Sequence, residues 1–208
     1  EYSLDHMYGV WDKKAFIDPA GMMRALDARG RKLVIIIDPH LKKTDQYYLY
    51  KEAKSQDLLV KTADGRTNYE GECWSGQASW IDFFQPRTWQ WWIDQFRLTK
   101  QRLEGNARNL FVWNDMSEPA IFSGPEVSSP KDVRHFPGWE NRDIHNINGV
   151  ILHNLTATGL TRRELGTKDK HGQPGVERGE LLDHLGHRPL RHLRDRHLLR
   201  ARDLAPAV

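Results

Sequence analysis

Leu110-Phe111-Val112-Trp113-Asn114-Asp115-Met116-Ser117-Glu118-Pro119 opens as a short apolar run and closes on carboxylates and a turn. Leu110 to Trp113 reads as a buried strand, with Asn114-Asp115 marking its end. Upstream, Leu33-Val34-Ile35-Ile36-Ile37 is a continuous, mostly β-branched run that ends at Asp38-Pro39. Such a run suits a strand buried on both faces, as in a parallel sheet. Both strands thus have an apolar body and a carboxylate at the C-terminal end.

The segments around these strands complete an alternation. Asp18-Pro19 followed by Met22, Met23 and Leu26, and closed by Gly30, has the N-cap, first-turn proline and glycine stop of a short helix. Lys42 to Pro86 is polar and carries the turn signals Asp64-Gly65 and Ser75-Gly76, the pattern of a long irregular excursion. Trp89, Trp92, Ile93 and Phe96 fall at i, i+3, i+4 and i+7, predicting a helix from about Thr88 to Thr99 whose tryptophans pack in a core. Helix, strand, excursion, helix, strand is an α/β order. Parallel strands that each end in a carboxylate fit part of a (β/α)8 barrel, whose chemistry lies at that rim. A doubly wound open sheet gives the same local pattern, and periodicity does not separate the two.

Composition narrows the function classes. The 208 residues fall short of a complete (β/α)8 barrel of about 250. A net charge of +3 gives no strong drive towards nucleic acid or an anionic membrane. The single cysteine, Cys73, excludes an internal disulfide. There is no apolar run of membrane-spanning length and no charged-then-apolar leader, the start expected of a fragment or a mature chain. The histidines lack the spacing of a metal site, and His40 and His145 are expected to make structural hydrogen bonds. Asn154-Leu155-Thr156 is a glycosylation sequon.

The chemistry concentrates after the second strand. Cleaving a glycosidic bond with retention takes one carboxylate to attack the anomeric carbon and a second carboxyl group to protonate the leaving oxygen. Asp115 and Glu118 are both available, although a D-x-x-E at a strand end is equally an N-cap with its capping-box partner.

Trp113 to Phe122, WNDMSEPAIF, resembles the W-x-D-M-N-E-P-S signature of glycoside hydrolase family 31, with Ser117 in place of Asn and Ala120 in place of Ser. Ile36-Ile37-Asp38-Pro39-His40 resembles that family's I-x-D-P-H strand end. Glu72-Cys73-Trp74-Ser75-Gly76 is similar to its C-W-P-G loop, and Asp82-Phe83 to the P-D-F that follows. Gly124-Pro125-Glu126 and His145-Asn146-Ile147 resemble elements of its glucosidase II branch. The resemblance implies a retaining α-glucosidase with Asp115 as nucleophile. It also implies that Ile36, Asp38, Trp74, Trp113 and Met116 line or adjoin the nonreducing glucose site. It implies no metal or redox cofactor. The implied setting is the endoplasmic reticulum lumen, with N-glycan trimming as the task and a noncatalytic β subunit as a possible partner.

The resemblance spans residues 1–163, read as a partial (β/α)8 catalytic domain. The family's acid/base, an Asp in a W-x-G-D-N run, has no counterpart in the 208 residues. Its substrate-binding D-I-E-Y run would end at Glu1-Tyr2. No Phe, Trp or Tyr occurs from Glu140 onward, and residues 164–208 become an Arg-Leu-His mixture. That tail is expected to be non-homologous, either disordered or translated out of frame, with any helix between Glu180 and Leu204 mostly exposed. Two other readings follow from the tail and the missing acid: nucleic-acid binding through the arginines from Arg162 to Arg202, or a noncatalytic carbohydrate-binding remnant.

Overall fold

The computed structural model describes residues 1–164. Expectations for residues 165–208, including the arginine-rich tail, lie outside the described residues. Helix α1 spans Pro19–Asp27; Asp18 caps it by accepting a hydrogen bond from the Gly21 N–H at 2.8 Å, and Pro19 opens the first turn. Strand β1, Leu33–Ile37, follows. Next come β2 at His40–Lys42, α2 at Tyr48–Ser55, β3 at Gly71–Cys73 and β4 at Gly76–Trp80. Helix α3 spans Pro86–Gln95 and leads to β5, Leu110–Asn114. The short hairpin of β6 (Arg134–His135) and β7 (Trp139–Glu140) then runs into α4, Asn141–Thr161.

β1 and β5 pair in parallel, with Leu33 opposite Leu110 and Ile37 opposite Asn114. The region from Lys42 to Pro86 is only partly irregular, as stretches such as residues 56–70 carry no helix or named strand. It holds α2 and the strands β3 and β4, which join the preceding β2 in an antiparallel sheet of order β2-β4-β3, and the β3–β4 turn uses Gly76 at φ +79°. The hairpin escaped the sequence reading because its strands are three and five residues long and polar on one side. Neither parallel strand is buried on both faces among the described residues. Successive side chains point to opposite sides, so Ile35 and Ile37 enter the core while Val34 stays 60% exposed.

The core lies between this sheet and the helices. Trp92 of α3 is fully buried and donates its indole N–H to Thr156 Oγ1 of α4 at 3.0 Å, so the sequon's threonine is a core residue. Trp91 is buried too and donates to Glu52 of α2 at 2.9 Å, whereas Trp89 is only half-buried. The buried face of α3 holds Trp92, Ile93 and Phe96 as the spacing predicted and is widened by Trp91. The helix also ends four residues short of Thr99, where the Asn106 side chain donates to the Phe96 carbonyl at 2.9 Å and satisfies an orphaned helix-end acceptor. Helix α4 buries Ile144, Asn148, Ile151, Leu152, Leu155, Thr156 and Gly159, one stripe at helical spacing. Just past its end, Arg163 reaches back to the carbonyls of Ala107 and Leu110 and lies over the Phe111 ring at 4.9 Å, tying α4 to the start of β5.

The α3–α4 contact is close at Gly159, where an added Cβ would stand 2.5 Å from Phe96 Cδ2. Phe96 is itself 1% exposed and cannot swing aside. Gly159→Ala is expected to destabilise the protein by about 1–3 kcal/mol, the usual cost of overpacking. A urea midpoint equal to that of the unaltered protein would show that the helices can separate without cost.

Candidate active site at the strand ends

The parallel register places Asp38 and Asp115 immediately after Ile37 and Asn114, at the same end of the sheet. The Asn114 side chain donates to the Ile37 carbonyl at 3.2 Å and staples the two strand ends together. Asp115 is half-buried, and its Oδ1 accepts the Met116 N–H at 2.9 Å. Met116 adopts φ 54°, a left-handed conformation costing a non-glycine residue on the order of 1–2 kcal/mol. Residues 117–119 form a turn and no helix starts there, so Asp115 is not a helix N-cap. Glu118 is exposed.

Helix α4 supports this turn. A Cβ on Gly149 would lie 3.1 Å from the Ser117 carbonyl oxygen, a closeness that only glycine permits without displacing backbone. Ser117 Oγ stands 3.3 Å from His153 Nε2 of the same helix.

The sequence-selected residues occupy different depths. Trp74 and Trp113 are more than half exposed, Ile36 and Met116 half-buried, and Asp38 only 2% exposed. Trp74 meets Phe122 edge-on, with ring centroids 4.9 Å apart. This exposed aromatic pair can offer the apolar C–H contact that sugar rings favour. Phe122 stands in the segment that the motif covers, yet nothing in its spacing marked it as Trp74's partner.

Beneath the rim the structure adds a residue that the sequence did not suggest. Tyr8 Oη donates to Asp38 Oδ2 at 2.6 Å in a buried contact. Tyr2 Oη donates to the Ile36 carbonyl at 3.0 Å and accepts the Gly9 N–H at 2.9 Å, so residues 2–9 are laced to the end of β1. Burial pushes the Asp38 carboxyl up to about 6, against the Tyr8 hydrogen bond, and the Asp115 charge pushes it further up. Burial drives the His40 imidazole down to about 4, with His6 adding to the effect. His40 Nε2 is 3.8 Å from Asp38 Oδ2, too far for a hydrogen bond. The expectation of structural hydrogen bonds at His40 and His145 fails: both His40 ring nitrogens and His145 Nδ1 are buried without a partner. The His40 ring packs against aromatics, with the Tyr8 and Trp80 ring centroids 5.5 Å and 6.1 Å from its own. Among the described residues no three His, Cys, Asp or Glu side chains converge to hold a metal ion, and no helix is long and apolar enough to cross a membrane.

The profile of the glycosyl hydrolases family 31 TIM-barrel domain matches residues 2–179. Neutral alpha-glucosidase AB of Sus scrofa is 45% identical over 168 residues, covering 81% of this chain and 18% of the relative. Glucosidase 2 subunit alpha of Schizosaccharomyces pombe is 42% identical over 166 residues, covering 80% and 18%. Among solved structures, the glucosidase II alpha subunit bound to alpha3-Glc2 superposes with a TM-score of 0.76 at 48% identity, over 80% of this chain and 18% of that one. A Flavobacterium johnsoniae dextranase complexed with glucose gives 0.61 at 26%, over 74% and 18%. The chain thus spans 18% of the length of these relatives. The matches also choose a barrel over an open sheet, with two of its strands, β1 and β5, among the described residues.

Asp38 and His40 bias stability in opposite directions with pH. The raised Asp38 pKa contributes stability that is full below the ordinary carboxylate value near 3.8 and lost as pH rises through about 6. The depressed His40 pKa contributes stability that is full above 6.5 and lost as pH falls through about 4. The two shifts are similar in size, so their slopes nearly cancel between those limits. Asp38→Asn is expected to leave a stability that falls on acidification across this window, and His40→Gln one that rises. Urea midpoints from pH 4 to 7 with the same slope in both variants would contradict the assignment.

Proposed function

Because the chain belongs to glycosyl hydrolase family 31, we propose that it forms part of the catalytic barrel of a retaining α-glucosidase in which Asp115 is the nucleophile. One observation carries the reading: Asp115 leaves the C-terminal end of a parallel strand beside Asp38, on a turn braced by Gly149 of α4. A carboxylate at a strand end is aimed by the sheet and needs little reorganisation to meet an anomeric carbon. Asp115 Oδ would attack that carbon to form a glycosyl ester, and water would later release the sugar with retained configuration.

Trp113 and Met116 flank the nucleophile in sequence and Ile36 stands two residues before Asp38; together with Trp74 these are the proposed walls of the glucose subsite. Asp38 adjoins it from below. Glu118 is exposed on the turn that follows Asp115 and is assigned no proton-donor role in this proposal. The donor is the family's second carboxyl group, which the W-x-G-D-N run would carry outside these 208 residues.

The relatives support a finer reading. Solved structures of the glucosidase II alpha subunit include an alpha3-Glc2-bound form and an ER heterodimeric complex with the binding domain of a regulatory subunit. We extend to the protein containing this chain the removal of terminal α-linked glucose during N-glycan trimming, in the endoplasmic reticulum lumen and beside a noncatalytic β subunit.

In the full-length enzyme a mechanism-based fluoroglucoside is expected to label the peptide that contains Asp115, and Asp115→Asn to bring hydrolysis of an aryl α-glucoside below detection. A polypeptide of these 208 residues alone is expected to be inactive, since loss of acid catalysis by itself costs about 10²–10⁴-fold. A label on Glu118, or hydrolysis by the 208-residue chain that Glu118→Gln abolishes, would refute the assignment.

A further inference from the structure

The chemistry assigned to Asp115 leaves the buried polar group behind it without a task. Asp38 is 2% exposed, and its Oδ1 is buried with no hydrogen-bond partner among the described residues. Its other oxygen is held at 2.6 Å by the Tyr8 hydroxyl. Tyr8 is in turn fixed from two sides. The Tyr47 hydroxyl donates to the Tyr8 carbonyl at 2.7 Å, and the His40 ring meets the Tyr8 ring nearly perpendicular, at 82°. A carboxylate so enclosed is poorly placed to read a sugar hydroxyl itself, yet its charge interacts with that of Asp115.

We propose that Tyr8 and Asp38 form a positioning pair: the Tyr8 hydroxyl holds Asp38 ionised behind Asp115, and Asp38 acts on the nucleophile through charge instead of touching the sugar. The inference rests on the assignment of Asp115 as nucleophile. When Asp115 attacks, its negative charge passes into a neutral ester as the glycosidic C–O bond breaks and the leaving oxygen takes a proton from the enzyme's acid. A second negative charge behind Asp115 repels the ground-state carboxylate, and that repulsion is relieved as the ester forms. An ionised Asp38 therefore speeds glycosylation of the enzyme, and a protonated one does not.

The groups that face Asp38 set where this happens. Tyr8 hydrogen-bonds it, and Asp115 and Glu1 oppose its ionisation while His6 favours it. Tyr2, Tyr47 and Cys73 also feel its charge, and His40 stands 3.8 Å away, neutral above about pH 4. With the carboxyl titrating near 6, kcat/KM should fall as the pH drops through that value. Tyr8→Phe keeps the ring and removes the donated proton, which favours the neutral acid, so its acid limb should move to higher pH.

The test is the pH profile of kcat/KM for an aryl α-glucoside in the full-length enzyme, its Tyr8→Phe and its Asp38→Asn variants. Each protein is also checked for fluoroglucoside labelling at Asp115. The expected result is an acid limb shifted up by half a pH unit or more in Tyr8→Phe. In Asp38→Asn that limb should vanish, with a plateau lowered on the order of tenfold through kcat and KM little changed. If Asp38→Asn does not fold, Tyr8→Phe decides alone. Labelling at Asp115 with profiles that overlay the wild type would overturn the positioning pair and leave the nucleophile standing. A KM rise carrying the whole loss in Asp38→Asn would make Asp38 a sugar contact and overturn it as well. No label at Asp115 in the wild type would sink the functional reading first, and this inference with it.

Discussion

The parallel pairing of β1 with β5 is the constraint on which the rest depends. Parallel strands run in one direction, so whatever follows each of them emerges at one end. With Ile37 opposite Asn114, the two carboxylates that follow, Asp38 and Asp115, are brought side by side. An antiparallel pairing of the same two runs would have sent them to opposite ends of the sheet. The segments that follow both strands therefore leave from one end of the sheet.

Bringing two carboxylates together has an electrostatic consequence that the surroundings manage by depth. Asp115 stays half-buried at the rim, while Asp38 is enclosed. Burial and the neighbouring charge raise the Asp38 pKa, and the Tyr8 hydroxyl acts against both. His40 adds no compensating charge, because the same burial keeps its ring neutral at ordinary pH. A protonated imidazole there would tie up the carboxylate, whereas a neutral one leaves it to Tyr8. The lacing of residues 2–9 to the end of β1 through Tyr2 and Tyr8 is thus part of the site's electrostatics as well as its packing.

The turn that carries Asp115 is held from behind by α4. Gly149 lets the helix approach the Ser117 backbone, and Gly159 lets it approach Phe96 of α3. Both glycines lower intrinsic helix propensity by about 1 kcal/mol each relative to alanine. They are tolerated because close approach on one side seats the rim and on the other closes the core. Ser117, where the family signature carries Asn, stands with its Oγ 3.3 Å from His153 Nε2 of α4.

Much of this was legible in the sequence because it is local. The cap and proline of α1, the apolar bodies of β1 and β5, and the carboxylates at their ends follow from residue types at short spacing, and the ordered motifs from Ile36 to Ile147 point to one family. The β3–β4 hairpin and the 21-residue α4 were not read, since short polar strands and glycine-bearing helices give weak periodic signals. The site's floor was beyond reach altogether. Tyr8 and Asp38 are 30 positions apart with no repeating pattern between them, and their 2.6 Å contact exists only once the chain has folded back along β1. Depth was likewise decided by the fold: Asp38 and Asp115 look alike as strand-end carboxylates, and only long-range packing makes one a buried, perturbed acid and leaves the other at the mouth.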